Sequence, residues 1–107
     1  MTMSRRPERS GQLGPDSIGE AIRLLRYRAR LTRDELAPRA GVSAGAVSNY
    51  ENDVSVPPAA TLRRLAIVFA DVLDADLSEL WDQLGDILDR QAAAQARQRP
   101  ARDAEAG

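Results

Sequence analysis

A chain of 107 residues has room for one hydrophobic core of ordinary size and some tail, which excludes a large enzyme. It contains no cysteine and no histidine, so no disulfide framework, zinc finger, thiol nucleophile or imidazole base can be built from its side chains. The net charge of −1 conceals an asymmetry: from Ile18 to Pro58 six arginines face five acids, whereas from Ala59 to Arg90 three arginines face seven acids. All fifteen basic residues are arginine, which suits bidentate phosphate contacts, although codon bias produces the same composition. No run reaches the ~18 apolar residues of a membrane helix, and Met1–Gly14 lacks the apolar stretch of a secretory signal. The expectation is a cytoplasmic protein with no membrane partner.

Residues 1–16 carry Pro7, Gly11, Gly14 and Pro15 among polar neighbours and no apolar period, so they read as a flexible arm. Ser17-Ile18-Gly19-Glu20 fits a capping box opening a first helix, with Ile18, Ala21, Ile22 and Leu25 on one face and Arg23, Arg26, Arg28 and Arg30 on the polar faces and end. A second box, Thr32-Arg33-Asp34-Glu35, opens a helix with Leu36, Ala37 and Ala40 inward. Pro38 inside that helix predicts a short or bent element, and Gly41 supplies a left-handed stop. Ser43 caps a third helix that buries mainly Val47 and Tyr50 and leaves small and polar side chains outward. Pro57 and Pro58 end the loop that follows and preset a fourth helix with Leu62, Leu65, Ala66 and Phe69 as its stripe. The Asp-rich stretch from Ala70 to Asp76 is expected to lengthen that helix, after which Asp76 and Glu79 begin a fifth. Its stripe of Leu77, Leu80, Trp81, Leu84, Ile87 and Leu88 runs into a tail that loses large apolar residues near Gln95 and reads as disordered.

The segment from Leu31 to Asn52 closely resembles the helix-turn-helix of the Cro and phage-repressor family, also called the xenobiotic-response-element family. The match rests on Leu36-Ala37, Gly41-Val42-Ser43, Val47, Tyr50-Glu51-Asn52 and Pro57. The resemblance implies an all-α, five-helix lambda-repressor-like DNA-binding domain over residues 17–82, with a C-terminal helical extension over 83–94. It also implies a transcriptional regulator, a repressor above all, that inserts helix 43–52 into the major groove of double-stranded DNA. An α-helix fits that groove, and its N-terminal turn offers unpaired N–H groups to phosphate. Arg33 falls where family members contact the backbone or support a base-reading residue; Ala44, Gly45, Ser48 and Asn49 fall at base-facing places, and Ser43 and Asn52 at phosphate contacts. Only Asn49 among them can pair bidentately with adenine, while Ala44 can offer a methyl to thymine. With so little direct readout, operator choice is expected to lean on DNA shape, half-site spacing or arginines of the arm in the minor groove. Asp53 stands where relatives usually carry glycine, which puts a carboxylate near the expected phosphate path.

The competing readings are plainer. Arg33 and Asn49 could be solvated surface residues, and Tyr27, Tyr50, Phe69 and Trp81 belong to a core or interface rather than a base-stacking platform. The acids Asp71, Asp74, Asp76, Glu79, Asp82, Asp86 and Asp89 lack the pattern of a calcium loop and read as a solvated face with caps. No cofactor or metal is required, and no catalytic residue is expected. A homodimer is expected because paired recognition helices read half-sites ~34 Å apart, with Trp81, Leu84, Ile87 and Leu88 as its seam. Folding of these residues back on their own subunit is the rival account. The rival function is an antitoxin or accessory protein whose main partner is another protein.

Overall fold

The computed structural model describes residues 15–97. Five helices follow one another, α1 Ile18–Arg28, α2 Arg33–Ala40, α3 Ala44–Glu51, α4 Ala59–Leu73 and α5 Leu77–Arg97, with no strand among the described residues. The apolar stripes read from the sequence converge on one core. Ile18, Ile22, Leu36, Val47, Leu62, Leu65, Phe69 and Leu84 are its largest sealed apolar side chains. Helix α1 packs across α3, α4 and α5, while α2 wedges between α3 and α4.

The helix starts obey local chemistry. The Thr32 hydroxyl accepts from the Glu35 amide and the Glu35 carboxylate accepts from the Thr32 amide, a complete capping box. At α1 the box is altered: the Ser17 hydroxyl accepts from the Glu20 amide, but the Glu20 carboxylate accepts from the amide of Asp16 instead of Ser17. Ser43 and Asp76 cap α3 and α5 through the amides of Ala46 and Glu79.

Helices α1 to α4 all end in the same way. In each, paired backbone bonds of the Schellman type close over one residue with positive φ: Arg30 (59°), Gly41 (73°), Asp53 (59°) and Asp74 (54°). Only Gly41 adopts that conformation without steric cost. The left-handed φ of Asp53 explains why glycine suits its place, and Asp53 replaces that freedom with a bond, its Oδ2 accepting from the Ser17 hydroxyl at 3.0 Å. Helix α2 accommodates Pro38 by being only eight residues long, so the bond lost to the Asp34 carbonyl lies in a helix with few to lose. As expected from the Asp-rich stretch, α4 runs on to Leu73.

Several expectations are corrected. Leu84 and Ile87 are buried in the chain's own core, and Trp81 and Leu88 pack against it. Helix α5 folds back on α1 and α4, so Leu84 and Ile87 are covered by their own chain and offer no surface to a second subunit, whereas Trp81 and Leu88 remain partly exposed. The folded unit therefore continues past residue 82. Tyr27 is not core but 61% exposed, and Tyr50 is only half-buried. Arg26 sits at the four-residue spacing that continues Ile18 and Ile22, and it is buried rather than solvated. The seven acids from Asp71 to Asp89 are all exposed. Of the arm, residues 1–14 lie outside the described residues, and so do residues 98–107 of the tail; α5 itself passes Gln95 and reaches Arg97.

Helix α5 also fastens the start of α1. The Gln91 Oε1 accepts from the otherwise orphan amide of Ile18 at 3.0 Å, and Arg90 Nη2 donates to the Pro15 carbonyl at 3.1 Å. Gln91→Ala is expected to reduce the unfolding free energy by about 1 kcal/mol. Thermal denaturation followed by circular dichroism should show Tm lower by about 4–8 °C; an unchanged Tm would mean that water replaces the carboxamide at no cost.

Candidate nucleic-acid interface

Helix α3 is held to the core by one face. Val47 is fully buried, and four residues later Glu51 occupies the same inward line and is 2% exposed. The opposite face carries Gly45 and Asn49, both exposed, with Ala44, Ala46 and Ser48 half-exposed beside them. Part of Ala44 packs against the core. The turn from Gly41 to Ser43 sets α3 against α2, and Ser43 is exposed at the start of the helix.

Arg33, Ala44, Gly45 and Ser48 are brought together in one open groove, shared with Thr32 and Asp34 of the α2 start and with Arg26 and Tyr27 of the α1 end. The first turns of α2 and α3 both border this groove, so the helix N–H groups that the Thr32 and Ser43 caps leave unbonded belong to its edge. Asn49 is on the same exposed face further along α3, while Asn52 follows at its C-terminal end. The Asn52 carboxamide is already engaged: its Oδ1 accepts from Arg23 Nη2 at 3.0 Å and its Nδ2 donates to the Ser48 hydroxyl at 3.3 Å.

Beneath the groove lies an ion network. The Glu51 carboxylate accepts from Arg26 Nε at 2.6 Å and Nη2 at 3.1 Å, and from Arg33 Nε at 3.0 Å, with Arg23 Nε 3.9 Å away. Arg26 also donates through Nη1 to the Leu31 carbonyl, which seals the end of α1. Arg23 Nη2 donates to the Glu51 carbonyl as well as to Asn52. Burial pushes the Glu51 carboxyl up, but the hydrogen bonds and charges of Arg26 and Arg33 outweigh it and hold it below the ordinary carboxylate range. The Arg26 guanidinium is raised chiefly by its hydrogen bond to Glu51, against an opposing effect of burial. Arg33 is thus tethered by one nitrogen while its side chain remains 40% exposed in the groove.

From the sequence, Glu51 enters only as a motif residue and Arg23 and Arg26 only among the arginines on the polar faces of the first helix, some of them open to a phosphate role; the network that joins them is not predicted. The signal was present at two of them: Ile18, Ile22 and Arg26 are spaced by four, as are Val47 and Glu51, and a charge on each of two core-facing lines demands an opposite partner. Arg23 offers no such signal.

Comparison with known proteins agrees with this geometry. The family model for the helix-turn-helix domain matches residues 17–80, more than half of the chain. Over 52 residues the chain is 44% identical to the HTH-type transcriptional repressor RghR of Bacillus subtilis (strain 168); the match covers 48% of this chain and 38% of that protein. No solved structure matches. With its capped pair α2 and α3, its buried Val47 and its motif residues in these places, the chain belongs to the helix-turn-helix domain family and is of the Cro and phage-repressor type.

Proposed function

We propose that this protein binds double-stranded DNA sequence-specifically and regulates transcription, as a repressor, without a cofactor or a catalytic step. The observation that carries the reading is the groove in which Arg33 stands beside the small, outward face of α3, bordered by two helix N-termini. A face of Gly45, Ala44, Ser48 and Asn49 lets the helix backbone approach base edges closely, and Asn49 supplies the donor and acceptor pair that fits adenine. Arg33, Ser43 and Asn52 take phosphate contacts, Asn52 by exchanging a bond it now makes within the chain. The repressor role draws on the name of the Bacillus relative. The protein acts in the cytoplasm, on the nucleoid, where a duplex partner lies. It binds as a homodimer on paired half-sites, through a surface other than the buried Leu84 and Ile87.

The test is a titration of labelled duplex DNA at two salt concentrations, with Asn49→Ala alongside. The logarithm of the association constant should fall with the logarithm of salt, by about 0.9 per phosphate neutralised. Asn49→Ala should lose about 1–3 kcal/mol of preference for a selected duplex over a random one. A flat salt response would overturn the reading in favour of a protein partner.

A further inference from the structure

The sequence leaves Tyr27 to a core or an interface, and the structure sets it apart from the core, 61% exposed on the groove that holds Arg33, Gly45 and Ser48. Phe69, by contrast, is 1% exposed. An aromatic ring in water contributes nothing to the core, and this one is nevertheless oriented: the Arg26 guanidinium carbon lies 4.8 Å from its ring centroid. Arg26 is itself fixed at Nε and Nη2 by Glu51 and at Nη1 by the Leu31 carbonyl. The ring therefore rides on an anchored platform, so little side-chain entropy remains to be lost when a partner arrives.

We propose that Tyr27 is a backbone-contact residue of the DNA interface, its hydroxyl donating to a phosphodiester oxygen of the strand that passes Arg33. The inference rests on the DNA-binding reading above and extends it to a residue on α1. A phenolic hydroxyl is a hydrogen-bond donor, so it can hold a phosphate oxygen without bringing a cation to it. Bases within a duplex are stacked on one another, which leaves the sugar-phosphate strand rather than a base face as the surface that a rim residue outside the groove floor meets. The contact is consequently blind to sequence, and it stands beside the charged contact of Arg33 rather than duplicating it.

The experiment compares the full chain with its Tyr27→Phe and Tyr27→Ala variants, by fluorescence anisotropy on a labelled random-sequence duplex and on a duplex selected from genomic fragments, each at two salt concentrations. Tyr27→Phe keeps the ring on Arg26 and removes only the hydroxyl. Both variants should bind both duplexes about three- to tenfold more weakly, as expected for one lost hydrogen bond. The salt slope should match that of the unaltered protein, because no charge has been removed, whereas Arg33→Ala should lower it by about one unit. Tm should not change for Tyr27→Phe. Wild-type affinity of Tyr27→Phe, or a loss confined to the selected duplex, would overturn the phosphate contact while leaving the DNA reading intact. Failure of the unaltered protein to bind either duplex would overturn both.

Discussion

Gly19→Ala is expected to destabilise the protein by about 2–4 kcal/mol, lowering Tm by about 10–30 °C in thermal denaturation. The sign is opposite to what helix propensity predicts, since Gly19 lies in the first turn of α1 and alanine is favoured over glycine in a helix, by ~1 kcal/mol in its interior and by less at its start. Packing decides. A Cβ on Gly19 would lie closer to the Tyr50 carbonyl oxygen than real Cβ atoms come, 3.0 Å from the Glu51 carbonyl and 2.5 Å from Asp53 Oδ1. The Asp53 carboxylate can swing aside, but the two carbonyls belong to the last turn of α3 and move only if the whole helix moves. The methyl therefore pushes α1 and α3 apart, and the Glu51 network between them stretches with it. Gly85→Ala in α5 is the matched comparison: nothing lies within 4 Å of its Cβ position, so propensity acts alone and stability should rise by about 0.5–1 kcal/mol. Equal effects at the two positions would show that the α1–α3 contact carries no load.

The contrast between these glycines shows what could be read in the chain before its fold was known. Helices, caps and the inward stripes of α1, α2 and α4 follow from periodicity and from Ser17, Thr32, Ser43 and Asp76, because those determinants act within one or two turns. The longer α4 was equally legible in its sequence. What no local pattern reveals is which helix an apolar stripe meets. Leu84 and Ile87 have the same period whether they face a second subunit or their own α1 and α4, and here they face the latter. Gly19 and Tyr27 were unreadable for the same reason: the first is defined by a carbonyl more than thirty residues away, the second by the neighbours it lacks. The places of Ala44, Gly45, Ser48 and Arg33 around one groove required the angle between α2 and α3, which the motif's resemblance to known proteins implied and periodicity alone did not.

The largest loss is expected from Glu51→Gln, about 3–5 kcal/mol at pH 7 in urea denaturation, because it leaves a buried guanidinium without its counter-charge. Arg26 is 8% exposed and directs two of its nitrogens at the Glu51 carboxylate. A carboxamide can still accept one of those bonds, but it carries no charge, and its own N–H group must face a donor. The dependence on pH separates charge from shape. Since the folded-state pKa of Glu51 is depressed, its contribution is fully present above the ordinary carboxylate range of the unfolded chain, and it is lost as pH falls through the lower folded value. The difference in stability between the two proteins should accordingly be largest near neutrality and shrink in acid, where the unaltered Glu51 also becomes neutral. A difference that stayed constant down to the acid transition would assign the loss to packing instead. The same carboxylate bonds Arg33 Nε at 3.0 Å on the groove side. Glu51→Gln, examined below its reduced Tm, should therefore also weaken duplex binding, whereas Gln91→Ala, which touches only the junction of α1 and α5, should leave that affinity unchanged.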